Sequence, residues 1–283
     1  MAPSLPRRAC ASLRLRALDA LDGLRPTHPR RAARVPPRRL LAFVGDSDFV
    51  ATGDEFMRHF VELGELRPDE RVLDVGCGIG RMARPLAAFL GPGGSYDGFD
   101  VHAEGVAWCR ERYADLPAFG FAHADVRNAV YNPGGAADAA AHRFPYEDGS
   151  FHFVFATSVL THLTAPAARR YVGEMARVLA PGGRLLATAF ALDDAARTLI
   201  AQGRSALRLH ELDDVTAVAD LAVPERAVAF DRDWLLEAIA DAGLAGAAMH
   251  PGTWCGRADG VSFQDVVVAR RPRPGEPRHP ASG

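Results

Sequence analysis

Residues 72–86 read VLDVGCGIGRMARPL: an apolar run, one acid, then glycines at alternate positions. Glycine has no Cβ, so a turn built on Gly76, Gly78 and Gly80 can bend sharply and lay bare backbone against a ligand. The spacing narrows what that ligand is. A phosphate cradle of the GxxxxGK[ST] type needs a lysine, and the chain contains none. A dinucleotide turn of the G-x-G-x-x-G type fits Gly76 and Gly78 but puts Arg81 where the third glycine belongs, with Gly80 one residue early. Asp74 stands two residues before the first glycine and completes D-x-G-x-G-x-G. A carboxylate there attracts a cationic group and repels a pyrophosphate. The expected ligand is positively charged near this loop.

Two more acids have a comparable placement. Asp100 closes SYDGFD and Asp125 closes GFAHAD. Both runs read as strands, as do RVLDV, FHFVFAT, RLLATAF, a segment near residues 244–249 and SFQDVVVAR. Helical patterns fall between them, at residues 81–90, 104–113, 166–179 and 231–242. A further helix precedes the first strand, with Phe56, Met57, Phe60 and Val61 on one face after a Gly53-Asp54 start signal. Strands alternating with helices imply a parallel sheet, which binds ligands beyond the carboxyl ends of its strands.

The bulk numbers set limits. The chain has 283 residues, 48% hydrophobic and 24% charged, which suits one globular domain with extensions. The first forty residues carry ten Arg against Asp19 and Asp22, about +8, so a net charge of −2 leaves about −10 on the rest. A body that acidic speaks against broad nucleic-acid binding, which depends on neutralising phosphates. The four cysteines (Cys10, Cys77, Cys109, Cys255) form no CxxC pair and the histidines no HxxxH spacing, so no metal site is expected. No apolar run reaches the roughly 18 residues of a membrane helix, and no signal-peptide block opens the chain. A soluble cytoplasmic protein without membrane contact is expected. Residues 1–38 form a basic Pro/Arg-rich extension, expected to be flexible, and 271–283 a solvated tail.

Taken together, the glycine loop, the acids after the second and third strands, FPYEDGSFHFVFATSVLTHL and ARVLAPGGRLLATAF resemble class I S-adenosylmethionine-dependent methyltransferases of the type 11/25 kind. The likeness runs over roughly residues 45–270. NAVYNPGG and WCGR…QDVVVAR resemble a bacterial subgroup of unknown substrate. The resemblance implies an α/β fold, a Rossmann-like doubly wound seven-stranded mostly parallel sheet with helices on both faces and the last strand antiparallel. It implies one methyltransferase domain over residues 39–270, with a substrate loop at 127–149 and a candidate lid at 191–226. For the cofactor, S-adenosylmethionine, it puts Asp74, Gly76, Cys77, Gly78 and Gly80 around the methionine half. Asp100 then serves the ribose hydroxyls with Val101 beside it, Asp125 the adenine amine, and the Val126 amide faces the ring. Thr157 completes the set.

The acceptor side must come from loops above the same strand ends. His162, with a side-chain pKa near working pH, is the candidate base, although it could equally pack or cap a helix. Tyr131 is a second candidate, as catalyst or pocket wall. Trp254 and Arg257 are candidate substrate contacts, Arg257 for an acidic acceptor, while Cys255 is read as structural. Asn132-Pro133 resembles the N/D-P-P-Y motif of enzymes that methylate base amino groups, but stands after the third strand instead of the fourth, which disfavours that activity. The expected function is in-line methyl transfer to an oxygen, nitrogen or carbon of a small-molecule acceptor. Two alternatives stay open: a non-catalytic S-adenosylmethionine-binding module, and a dinucleotide-dependent oxidoreductase. The oligomeric state is left open.

Overall fold

The computed structural model describes residues 34–42 and 47–276. The extension up to residue 33 and the tail from 277 lie outside the described residues. Five strands lie side by side in the order β3-β2-β1-β4-β5, all parallel: β1 (Arg71–Val75), β2 (Ser95–Asp100), β3 (Phe119–His123), β4 (Phe151–Ala156) and β5 (Leu179–Leu192). The chain winds outward from β1 to β3, then returns to β4 on the other side of β1. This reversal opens a crevice at the carboxyl ends of β1 and β4. Beyond β5 come β10 (Asp265–Arg270), antiparallel to both its neighbours, and then β9 (Ala245–His250).

After the first described helix, α1 (Arg38–Leu41), helices cover both faces of the sheet because adjacent strand residues point to opposite sides. Val72 packs with Phe56, Phe60, Leu86 and Cys109, under α2 (Phe49–Glu62), α3 (Ala83–Phe89) and α4 (Ala103–Arg112). Leu73 and Val75 pack with Tyr171, Met175, Leu235 and Ile239, under α5 (Ala165–Val178) and α7 (Arg232–Asp241).

Several expectations need correction. The helix expected at Gly53-Asp54 begins at Phe49 instead, capped by Asp48, whose carboxylate accepts from the amides of Val50 and Ala51. Gly53 lies within the helix because a Cβ there would come 2.8 Å from the Arg81 carbonyl. Val61 is 42% exposed, outside the buried face made by Phe49, Gly53, Phe56 and Phe60.

Among the described residues the sheet has ten strands, where seven are expected. β5 runs fourteen residues, and its last five extend past the end of β4, which stops opposite Ala187. Those exposed backbone groups need partners. They find them in β8 (Val228–Asp231), which pairs parallel with Phe190 to Leu192. β7 (Thr216–Val218) and β6 (His210–Glu211) follow as an antiparallel ribbon. The candidate lid at 191–226 is therefore built largely from α6 (Asp194–Ala201) and this ribbon, over a core of its own made by Phe190, Ala217, Ala229 and Trp254. No described helix is long and apolar enough to cross a membrane.

Candidate functional site

A cavity of about 450 Å³ opens at the crevice beside β1 and β4. The glycine loop forms its floor. The amides of Gly76 and Cys77 both donate to the Phe99 carbonyl, at 2.9 and 3.0 Å, which ties the loop to the end of β2. Gly76 has φ +84° and a Cβ there would stand 2.3 Å from Val159 Cγ2, so both its conformation and its surroundings require glycine.

Asp74 is the centre of the site. It is 1% exposed, and Tyr96 Oη donates to its Oδ2 at 2.7 Å. Its other oxygen, Oδ1, is buried without a hydrogen-bond partner, and Asp74 lines the cavity. Burial raises the Asp74 carboxyl pKa to about 8, against the opposing Tyr96 bond. Gly98 makes the Tyr96 contact possible. It pairs with Asp74 across the parallel register, and a Cβ there would stand 2.7 Å from Tyr96 Oη.

Asp100 lines the same cavity at the tip of β2. Its Oδ2 accepts from the Gly78 amide and its Oδ1 from the His102 amide, each at 2.7 Å. Burial raises its pKa, opposed by those two amides. Val101, Val126 and Thr157 complete this end of the cavity, in the loops that follow β2, β3 and β4.

The other end is built by loops meeting from three directions. Asn128 turns the segment after β3 by accepting from the amides of Val130 and Tyr131, both at 3.0 Å. Its side-chain nitrogen donates to the His162 carbonyl at 2.9 Å and to Glu225 Oε1 at 3.2 Å. Asn128 thereby aims Tyr131 at His162, whose Nε2 is 3.3 Å from Tyr131 Oη. His162 Nδ1 lies 2.9 Å from the Glu225 carbonyl, which can only accept. This fixes Nδ1 as the protonated nitrogen and leaves Nε2 to accept from Tyr131. Burial lowers the His162 pKa, so the ring is neutral near pH 7. Phe56, Phe190, Leu207 and Ala227 supply apolar walls.

Residues 72–183 match a protein family described as a methyltransferase domain. Over this stretch the chain is similar to methyltransferase domains. The match begins in β1 and ends within β5, so it spans the glycine loop and both acids of the cavity. The chain is 35% identical to phthiotriol/phenolphthiotriol dimycocerosates methyltransferase 1 of Mycobacterium ulcerans, over 42% of this chain and 37% of that protein. It is 28% identical to methyltransferase GfsG of Streptomyces halstedii, over 60% of this chain and 58% of that one. In both cases it spans less than two thirds of the relative's length. In fold it is similar to the PH0226 protein of Pyrococcus horikoshii OT3, with a TM-score of 0.53 at 16% identity, over 81% of this chain and 93% of that one.

Four residues expected at the site stand elsewhere. Asp125 is exposed, accepts from Asn132 Nδ2 at 3.1 Å and lies outside the cavity wall; the neighbouring Val126 takes the wall position. Gly80 also faces away, with φ +76° and a Cβ position 3.0 Å from Cys109 Sγ, so it seats the loop on α4. Trp254 is fully buried against Phe190, and its indole N–H donates to Asp265 Oδ2 at 2.7 Å. Arg257 grips both oxygens of Asp193 in a separate concavity. Trp254 and Arg257 stand off the site because the hairpin before β10 folds onto α6 and the end of β5, away from the glycine loop.

Conversely, Tyr96, Gly98, Asn128, Ser158, Thr161, Thr188 and Gln264 shape the site without having been singled out. Thr161 Oγ1 is a second buried, unpartnered atom on the cavity wall. All seven lie in motifs quoted above, with Asn128 opening the turn-rich NAVYNPGG and Gln264 opening QDVVVAR, but nothing in those motifs singles them out.

Proposed function

We propose that this chain transfers the methyl group of S-adenosylmethionine to a hydroxyl of a small-molecule acceptor. The observation that carries the reading is the unpartnered Asp74 Oδ1, buried beside a bare-backbone loop in the cavity that Asp100 also lines. A buried carboxylate oxygen without a donor is costly, and an ammonium group relieves that cost. A cofactor with an amino-acid ammonium and a ribose fits both acids, with Gly76, Cys77 and Gly78 leaving room for its methionine part and Val101 and Val126 beside its base. When bound, it supplies a sulfonium methyl, already activated for in-line displacement.

What the protein must then do is hold the acceptor close, aligned and dry, and remove its proton. Tyr131 and His162 support that last step. Tyr131 Oη would take the proton of the acceptor hydroxyl and pass its own proton to His162 Nε2, which would leave the acceptor oxygen free to receive the activated methyl group. The carbonyl of Glu225 stabilises the imidazolium that results. The 191–226 segment supplies Leu207 and Arg226 to this end of the cavity, which supports a role in enclosing the acceptor.

Calorimetric titration with S-adenosylmethionine and with NADH tests the cofactor reading. Binding of the first alone is expected; binding of NADH instead would overturn it. Incubation with a metabolite extract should then yield S-adenosylhomocysteine above a control without extract. A cofactor that binds with no such product would favour a non-catalytic module.

A further inference from the structure

The cavity wall contains a hydrogen-bond chain for which methyl transfer has no use. Ser158, in the loop after β4, is held at φ +58°, and its amide donates to Thr188 Oγ1 at 2.8 Å. Thr188 is fully buried in β5. Its hydroxyl has a single proton, which it gives to Gln264 Oε1 at 2.5 Å. Gln264 stands just before β10 and lines the cavity with Ser158. A backbone N–H can only donate, so Thr188 accepts from it on one lone pair, and in the structure its own proton is directed at Gln264. The Gln264 carboxamide therefore meets Thr188 through its oxygen. Its nitrogen, a donor of two protons, is the end left over, and no described residue accepts from it.

We propose that Gln264 is a specificity-determining residue. Its Nε2 donates to a carbonyl or carboxylate oxygen of the acceptor, so the acceptor belongs to the hydroxy-carbonyl class. Tyr131 and His162 serve the hydroxyl of such a compound, and Gln264 its second oxygen. The hydroxyl half of this assignment rests on the methyl-transfer reading; the carbonyl half rests on the Thr188 chain. Thr188 is a positioning residue, acting through the orientation of Gln264. A donor of this kind, once the acceptor shields it from water, discriminates against analogues that lack the matching oxygen, because it is then left unpaired.

The chain has two glutamines, Gln202 and Gln264, so isotope labelling of glutamine side-chain amides gives two NMR signals, and a Gln202→Glu variant assigns them. With protein loaded with S-adenosylhomocysteine, ortho-, meta- or para-hydroxyacetophenone should shift the Gln264 signal. The matching ethylphenols, alike in shape but without the carbonyl, should leave it unmoved. Thr188→Val should abolish that discrimination, since the released carboxamide can present either end, and Thr188→Ser should preserve it. Gln264→Glu should weaken hydroxyacetophenone binding by about ten-fold or more while S-adenosylhomocysteine still binds. A Gln264 signal that ignores the ketones up to their solubility limit, or that answers the ethylphenols equally, overturns this proposal alone. Failure of S-adenosylhomocysteine itself to bind overturns the cofactor reading, and this proposal with it.

Discussion

At the scale of single residues, the site depends on one carboxylate kept short of partners. With its pKa raised to about 8 by burial, Asp74 is mostly protonated at pH 7 in the free protein. It must ionise to accept from a cation, so affinity for S-adenosylmethionine should rise between about pH 6 and pH 8, with proton uptake by the buffer; calorimetry in buffers of different ionisation enthalpy measures both. Stability runs the other way. Between the ordinary carboxylate range and about pH 8 the folded chain holds the Asp74 proton more tightly than the unfolded chain, so this contribution is lost as pH rises through that window. Asp74→Asn should therefore melt with a flatter pH dependence than the parent protein, and should bind the cofactor about ten- to hundred-fold more weakly, the value of a charge-assisted hydrogen bond. Gly98→Ala tests the supporting contact. Its new methyl group would displace the Tyr96 hydroxyl from Asp74, and cofactor affinity should fall although residue 98 is not itself a contact.

Among the elements, β5 does the most positioning. Its far end recruits the β6–β8 ribbon that walls the acceptor side, and its near end is anchored by a buried ion pair. Arg184 bonds both oxygens of Glu70, at 2.6 and 2.8 Å, and also donates to the carbonyls of Gly64 and Glu65. Burial alone would raise the Glu70 pKa; the bonds from Arg184 and the Arg67 amide outweigh it and hold the group below its usual range. The stability this supplies is present above the unfolded carboxylate pKa and lost as pH falls through the lowered folded value. Removing one partner leaves a buried charge, so Glu70→Gln should cost about 3 kcal/mol in urea unfolding at neutral pH, with less difference from the parent in acid. The loop after β3 is tied down in a similar way. The Phe144 amide donates to Glu174 of α5, and Arg177 bonds Glu174 together with the carbonyls of Phe144 and Tyr146. This keeps a long connection rigid enough to present Tyr131.

For the whole molecule, the cavity joins two regions of different origin: the crevice of the parallel sheet, and the later ribbon that closes its far side. Hydrogen exchange should report them separately. S-adenosylhomocysteine should slow exchange at residues 76–80 and 100–105, while peptides across 207–227 should change only when an acceptor is added. The sequence by itself determined the alternation of strands and helices, the crevice at β1 and the pair Asp74 and Asp100, because these follow from short-range periodicity and from residues whose spacing is fixed by one turn. It also marked Tyr131 and His162 separately. Only the tertiary structure brought them into contact, through the buried Asn128 that joins three loops. The same holds for what went astray: Asp125, Trp254 and Arg257 have suitable chemistry, but each is taken up by a neighbour that only folding supplies. A side chain's type follows from its own codon, whereas the partner that occupies or frees it is decided by the fold, from Asn132 seven residues after Asp125 to Asp193 sixty-four residues before Arg257. For that reason the glycine-loop end of this cavity was legible in sequence, and the opposite end, assembled from separate loops, became visible only once they were folded together.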